Sequence, residues 1–262
     1  MKLGLIFEKA WNRFYSKHVI PRLEKSFLAE DGETLHYLFY PERDSKVLIV
    51  VLQAFHPDGP RYNYVATLSG VKANRLYIKD DFVPYTGNFY LGRSGNYNIE
   101  ADVHALIRRT AEACGAEKLI FVGSSKGGGC AVNFGSAYPG SAIIVAAPMY
   151  HSGTYMFETK KFNPALADVL GEPVTQEKIA ALDKRLADKI RLDPYGATQR
   201  AYLHCSRKDK TYTKHLIDLM DDMKQAGITI YLDECDYEGH ENLKWYFPAY
   251  LKASVAKEIE GL

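Results

Sequence analysis

Residues 118–139 read KLIFVGSSKGGGCAVNFGSAYP, a short apolar run followed by a glycine-rich turn and a second apolar segment. Residues 119–122 are long enough for one buried strand. Residues 123–127 follow at once and have the pattern G-x-S-x-G, with Ser125 at its centre. Apolar residues then recur at helical spacing as far as Pro139. Because G-x-S-x-G between a strand and a helix forms a nucleophile elbow, the stretch predicts a strained turn that exposes the Ser125 hydroxyl.

A glycine-rich turn without a catalytic role is the alternative interpretation of this motif. A phosphate-binding loop does not fit, because Lys126 precedes the glycines and the pattern G-x-x-x-x-G-K-[ST] is absent. The flanking strand and helix favour the elbow. In an elbow the backbone N–H of Lys126 begins the helix, so it would point at a developing oxyanion.

The composition is that of one large α/β domain over residues 1–262. The chain has 262 residues, of which 47% are hydrophobic and 25% charged. The net charge of +1 gives no strong field for nucleic acid or an anionic membrane. The four cysteines form no C-x-x-C, so we expect no metal knuckle, and buried reduced thiols in a cytoplasmic protein. No metal and no organic cofactor are expected.

The N-terminal residues 1–20 contain an apolar run that is too short for a signal peptide and is interrupted by Glu8 and Lys9. No stretch approaches the roughly 18 apolar residues of a membrane span, so no integral membrane segment is expected. An apolar helical stripe is predicted to pack on the body of the protein, with contact to a membrane or a partner as the alternative; it comprises Leu3, Ile6, Phe7, Trp11 and Phe14.

Strands and helices alternate along most of the chain. A hairpin is predicted at 26–29 and 34–40, with its turn at Asp31-Gly32. Strands joined by helices lie parallel, so we expect an α/β fold with a mostly parallel central sheet, helices on both faces and an antiparallel N-terminal hairpin. The other strands are predicted at 46–52, 75–79, 119–122, 141–146, 200–205 and 228–234, and further helices at 99–113, 213–225 and 241–258, the last with a kink or boundary at Pro248.

Residues 149–195 break this alternation. They contain Pro164, Pro173 and a charged helical pattern at 178–190. Since they come between two strands of the predicted sheet, we interpret them as a lid or cap inserted over the strand ends.

A serine nucleophile needs a base, and the base needs an orienting acid. Ligands of such sheets bind at the carboxyl ends of the strands. Asp209 follows the strand at 200–205, and His240 follows the last strand, in the order Ser, acid, His. The catalytic residues are therefore predicted as Ser125, Asp209 and His240, with Asp193 and Asp236 as rival acids.

The second oxyanion donor is expected from the loop after the strand at 46–52. Ala54 or Phe55 would supply it beside Lys126, and the His-Gly pair often found in this loop is missing.

Substrate contacts are predicted in two places. The tract at 85–97, YTGNFYLGRSGNY, lies between a strand and a helix, and its Tyr90 and Arg93 would contact a sugar by stacking and hydrogen bonds. A solvated surface loop is the alternative interpretation of this tract. His151 begins the predicted lid and would also contact substrate.

The elbow, the late Asp209 and the late Gly-His pair resemble the serine α/β-hydrolase superfamily over nearly the whole chain. Within it, Asp80-Asp81, the segment at 87–92 and then GSSKGG look like capsular-polysaccharide biosynthesis proteins of the XcbB/CpsF type. They also look like the acetyltransferase-like component of accessory secretion systems for glycosylated adhesins. These resemblances imply a bacterial cytoplasmic protein that acts on a saccharide or glycoconjugate ester.

The sequence thus predicts a serine esterase that uses a Ser-His-Asp triad on an ester, such as an O-acyl group of a saccharide in surface polysaccharide metabolism. Two alternatives stay open: an acyltransferase with the same triad, and a non-catalytic scaffold in a polysaccharide or secretion complex. The expected partner is a small-molecule or saccharide ester and no nucleic acid. The sequence gives no oligomeric state.

Overall fold

The structure is a computed structural model that describes residues 15–83 and 87–261. The predicted apolar stripe at residues 3–14 lies outside the described residues, as does Tyr85 of the predicted sugar-binding tract. Within the described residues, no helix combines the length and the apolar character needed to cross a bilayer.

An eight-stranded sheet forms the centre of the described residues, in the order β1-β2-β4-β3-β5-β6-β7-β8. The first hairpin is antiparallel, β2 pairs antiparallel with β4, and the remaining pairs are parallel. This arrangement confirms the predicted fold class. The strands are β1 (Lys25–Leu28), β2 (Thr34–Tyr40), β3 (Val47–Leu52), β4 (Asn74–Ile78), β5 (Lys118–Ser124), β6 (Ala142–Ala146), β7 (Arg200–Cys205) and β8 (Thr229–Glu234).

Helices cover both faces of this sheet. Strand β3 is buried along its whole length, since its alternate side chains enter two separate hydrophobic clusters. One cluster includes α2, α3 and the helices of the 149–195 segment, whereas α8 packs in the other. The helices are α1 (Ile20–Leu23), α2 (Asn98–Cys114), α3 (Lys126–Gly135), α4 (Ser152–Glu158), α5 (Asn163–Leu170), α6 (Gln176–Arg191), α7 (Ile217–Gln225) and α8 (Leu243–Glu260).

Pro248 lies inside α8 and does not end it, so of the kink or boundary predicted at this residue the boundary is wrong and the kink stays a prediction. The proline removes one main-chain hydrogen bond. Leu243, Phe247 and Leu251, spaced four residues apart, are buried against the sheet, and this packing holds the helix through the proline.

Residues 149–195 form three helices, α4 to α6, that are packed into the core of their face. Charged side chains of α6 bind residues of α2 and α3, which pack against the sheet. Arg185 binds both carboxylate oxygens of the buried Glu100 in α2, at 2.8 and 2.9 Å. Lys189 lies 2.5 Å from the same carboxylate and 2.7 Å from Oδ1 of Asn133 in α3. Burial alone would raise the pKa of Glu100, but the two cations lower it to about 2. The role of this segment as a lid stays a prediction.

Glu258 of α8 is the centre of a second buried ion cluster, at the amino end of β5. Lys118 Nζ lies 2.7 Å from its carboxylate, and Arg200 binds both carboxylate oxygens at 2.8 and 3.0 Å. The Tyr202 hydroxyl donates to it at 2.6 Å. Burial would raise the pKa of Glu258, but these partners lower it to about 2.

Glu258→Gln should lower the free energy of unfolding at pH 7 by about 3 kcal/mol, because the buried Lys118 and the partly exposed Arg200 lose their counter-ion. The folded-state pKa is depressed, so the carboxylate stabilises the fold above its ordinary pKa of 4.5 and loses this effect as the pH falls towards 2. The difference in free energy of unfolding between the variant and the wild type, measured by urea titration, should therefore become smaller below pH 4.5. Glu117→Gln, at an exposed pair with Lys46, is the matched control. Equal losses in both variants would contradict the cluster's role.

Candidate active site

Ser125 stands at a sharp turn between β5 and α3, with φ 53° and ψ −123°. The turn requires glycine on both sides. A Cβ on Gly123 would lie 2.0 Å from the carbonyl oxygen of Gly127, and one on Gly127 would lie 2.5 Å from that of Leu52. The Ser125 N–H donates to the carbonyl of Ala146 at 2.9 Å, which braces the turn against β6. This is the strained geometry that a nucleophile elbow needs.

Asp209 and His240 lie together in the loops that follow β7 and β8. His240 Nδ1 is 2.7 Å from Oδ2 of Asp209, whose Oδ1 accepts the N–H of Thr211 at 2.9 Å. Burial would raise the pKa of Asp209, but the hydrogen bonds with His240 and Thr211 lower it, so the group stays a carboxylate. Gly239, with φ 74°, forms the turn that presents the imidazole. A buried carboxylate bonded to Nδ1 fixes the tautomer whose Nε2 can accept a proton.

The strand order puts all three predicted catalytic residues at one edge of the sheet, because β5, β6, β7 and β8 are adjacent and parallel. Within the described residues, no hydrogen bond joins Ser125 to His240. Such bonds commonly tighten only when substrate binds. The assignment of Ser125, His240 and Asp209 as a catalytic triad is therefore a proposal.

The two rival acids are engaged elsewhere. Asp193 Oδ1 accepts the N–H of Tyr195 at 2.8 Å. Asp236 is 80% exposed and pairs with Lys208 at 2.7 Å. In the described part of the chain, the carboxylate hydrogen-bonded to His240 is that of Asp209.

The N–H of Ala54 is already occupied. It donates to Oδ1 of Asn63 at 2.9 Å, so Ala54 cannot serve as the oxyanion donor without breaking this bond. The prediction that named it is therefore corrected. The N–H groups of Phe55 and Lys126 have no acceptor among residues 15–83 and 87–261. They stay as the proposed donors.

Tyr90 does not fit its predicted contact with a sugar. Its side chain is fully buried, and its hydroxyl accepts the N–H of Gln53 at 2.7 Å and donates to the carbonyl of Ile78 at 2.8 Å. Phe89 and Tyr90 have φ of 61° and 54°, and the loop carries the Tyr90 ring into the core. The tyrosine therefore belongs to the scaffold beneath the site.

Arg93 and His151 both have acidic partners. Arg93 pairs with Glu33 at 3.0 Å and with Asp168 at 3.1 Å. His151 follows β6 at the same edge as Ser125, and its Nε2 lies 2.9 Å from Asp218. Contact with substrate stays a prediction for both residues.

Sequence reasoning missed the side chain of Lys126 and its partner Asp80. The lysine ammonium is fully buried and lies 2.5 Å from the carboxylate of Asp80. Asp80 follows β4, whose carboxyl end lies at the same edge as that of β3, so its position along the chain was the available signal.

Among residues 15–83 and 87–261, one group of side chains has spacing suited to a metal. Ligand atoms of His204, Asp233 and Cys235 lie within 4.8 Å of one another. His204 Nδ1, however, bonds Asp233 at 2.6 Å, while its buried Nε2 has no partner. A metal on Nδ1 would leave an Nε2–H donor unsatisfied, whereas histidine ligands normally donate that proton. A structural His-Asp pair fits these residues better than a resident metal.

Solved structures with the same fold come from several bacteria. The capsule O-acetyltransferase of Neisseria meningitidis serogroup A has a TM-score of 0.72 at 18% identity, over 90% of this chain and 99% of that one. A mutant of that enzyme in complex with CoA has a TM-score of 0.71 at 18% identity, over 88% of this chain and 94% of that one. The Glycosylation Associate Protein (Gap123) complex of Streptococcus agalactiae has a TM-score of 0.69 at 16% identity, over 89% of this chain and 46% of that one. An S-formylglutathione hydrolase of Agrobacterium tumefaciens has a TM-score of 0.58 at 14% identity, over 89% of this chain and 94% of that one. No curated protein sequence matches significantly.

The sheet order, the elbow after β5 and these structural neighbours define an α/β-hydrolase, as the sequence predicted. The sequence profile described as serine aminopeptidase, S33 matches residues 97–227, half of the chain. The chain belongs to this family of serine hydrolases. It is accordingly a serine hydrolase or an acyltransferase.

Proposed function

We propose that this protein uses Ser125, His240 and Asp209 to cleave or transfer an O-acyl group of a saccharide or glycoconjugate. The observation that carries the proposal is the 2.7 Å bond between His240 and the buried Asp209, at the sheet edge where the Ser125 elbow also lies. An ordinary surface histidine has no need of a buried carboxylate on its Nδ1.

In the proposed mechanism, Ser125 Oγ attacks the ester carbonyl while His240 Nε2 takes its proton. Asp209 stabilises the imidazolium, and the amides of Lys126 and Phe55 bind the oxyanion. The intermediate collapses as His240 returns the proton to the leaving alcohol. Water, or a hydroxyl of an acceptor, then attacks the acyl-enzyme as His240 takes its proton, and His240 passes that proton to Ser125 Oγ as the bond between Ser125 and the acyl group breaks.

A polar substrate suits the space next to the base. A cavity of about 660 Å³ adjoins His240, lined by Asp209, Gly239 and charged side chains, namely Lys208, Lys210, Glu238 and Glu241. Such a lining favours a hydroxyl-rich saccharide over a lipid chain, because charged groups would have to be desolvated against the latter. The named activity of the Neisseria neighbour and the glycosylation complex of Streptococcus support the same substrate class.

Acyl transfer is the second candidate, supported by the complex of the Neisseria enzyme with CoA. In that case an acyl thioester would load Ser125, and a saccharide hydroxyl would take the acyl group. We propose a cytoplasmic location, which the four free cysteines support.

The two outcomes separate in one experiment. The protein is incubated with an O-acetylated capsular saccharide, or with acetyl-CoA and the deacetylated saccharide, and acetate and saccharide acetyl groups are followed by NMR. Hydrolysis predicts acetate from the first mixture, and transfer predicts acetylated saccharide from the second. His240→Ala should abolish either. Product formation that survives in this variant would contradict the proposed chemistry.

A further inference from the structure

Lys126, the residue after the elbow serine, has its side chain buried beneath the site. Its ammonium pairs with Asp80, and neither side chain has exposed surface. Burial of two charges has a large desolvation cost, and a cation at the first turn of a helix opposes the helix dipole. Two apolar side chains at these positions would avoid both costs. Stability alone therefore gives a poor account of this pair.

Asp80 is the point at which several main-chain groups meet. Its Oδ1 accepts the N–H of Asn88 at 2.9 Å, and its Oδ2 accepts that of Phe89 at 2.9 Å and the ammonium of Lys126. Phe89 and Tyr90 are held at positive φ. One carboxylate thus fixes a strained loop to the first residue of α3.

The same carboxylate residue is joined to the loop that carries the second oxyanion donor. The N–H of Asp80 donates to the side-chain oxygen of Gln53 at 3.0 Å. The N–H of Gln53 donates to the Tyr90 hydroxyl at 2.7 Å, and the Tyr90 ring centre is 5.4 Å from Lys126 Nζ. Gln53 begins the loop of Phe55. The elbow and this loop are therefore connected through a single buried network.

We propose that the Lys126–Asp80 pair positions the oxyanion hole, by holding the amides of Lys126 and Phe55 at a fixed separation. This inference rests on the proposed function. Oxyanion donors act only within about 2.7–3.1 Å of the developing charge. A shift of either backbone amide therefore weakens binding of the transition state more than binding of the substrate. The ammonium of Lys126 is a positioning group, whereas its backbone amide is the group that would touch the reacting oxygen.

The test compares Lys126→Met with Lys118→Met in the full chain. Lys118 forms a similarly buried pair, with Glu258, at the opposite end of β5. Lys126→Met should lower kcat for 4-nitrophenyl acetate roughly 10- to 100-fold, with KM nearly unchanged. The same substitution should weaken the binding of a trifluoromethyl ketone by a similar factor, because the adduct of this inhibitor on Ser125 carries an oxyanion. Lys118→Met should lower the melting temperature but leave kcat and the affinity for the ketone unchanged.

A second variant covers the case in which Lys126→Met does not fold because Asp80 is left unpaired. The double variant K126M/D80N removes both charges and nearly keeps the shapes of the side chains, and an asparagine at position 80 can still accept one of the two N–H groups of Asn88 and Phe89. It should show the same loss of kcat and ketone affinity. A folded single or double variant with wild-type kcat and ketone affinity would overturn the inference.

Failure of the inference and failure of the proposed function give different results. If a fluorophosphonate does not label Ser125 in the wild-type protein, the proposed function is wrong and the positioning role falls with it. If wild type is labelled and Lys126→Met is labelled at the same rate, only the positioning role is wrong.

Discussion

Ser125→Ala should abolish fluorophosphonate labelling and lower the esterase rate by roughly 10⁴-fold or more, because the acyl-enzyme can no longer form. The fold should persist, since the backbone at the elbow is held by flanking glycines and by the bond to Ala146. Peptide mapping by mass spectrometry, with 4-nitrophenyl acetate kinetics, checks both parts of this expectation.

The neighbouring serine is the matched control. The hydroxyl of Ser124 accepts a hydrogen bond from Tyr64 at 2.6 Å and does not belong to the proposed triad. The Ser124→Ala variant should therefore still be labelled by the fluorophosphonate on Ser125 and should keep most of the esterase rate. An adduct that persists on another residue of Ser125→Ala, together with unchanged turnover, would show that the elbow is not the nucleophile.

Asp209→Asn should lower kcat by about 10³- to 10⁴-fold near neutral pH, with a small change in KM. The asparagine amide would donate to Nδ1 of His240, which forces the tautomer that cannot take the proton of Ser125. The imidazolium would also lose its counter-charge. Steady-state kinetics and circular dichroism on the purified variant separate this effect from misfolding.

Asp193→Asn and Asp236→Asn are the controls for this experiment, since both acids competed for the same role in the sequence. Neither side chain bonds His240 in the described chain, so both variants should keep nearly full kcat. A large loss in Asp236→Asn, with activity retained in Asp209→Asn, would reverse the assignment.

The sheet and the elbow could be predicted because their signals are local. All six side chains of β3 are apolar, which demands burial on both faces, and G-x-S-x-G has one steric explanation between a strand and a helix. Loops after successive strands of a parallel sheet share one edge, which is why Ser125, Asp209 and His240 could be expected there together.

The details of the site depend on contacts that composition does not reveal. The N–H of Ala54 is occupied because Asn63 folds back over it, nine residues later in the chain. Tyr90 lies in a loop rich in glycine and asparagine, yet the loop buries its ring. The burial of Lys126 depends on Asp80, 46 residues earlier. A window of neighbouring residues carries no information on such pairings.

The ion cluster around Glu100 bears on how water would reach the proposed acyl-enzyme. Movement of α6 would separate Glu100 from Arg185 and Lys189 together, which costs several kcal/mol for a buried carboxylate. The N–H groups of Gly153 and Thr154 are bonded to Asp183 of the same helix, so α4 is restrained with it. We therefore expect the segment not to swing shut over the cavity beside His240. In the proposed mechanism, solvent would then compete for the acyl group at every turnover, and the yield of transfer would depend on how fully an acceptor fills the cavity beside His240.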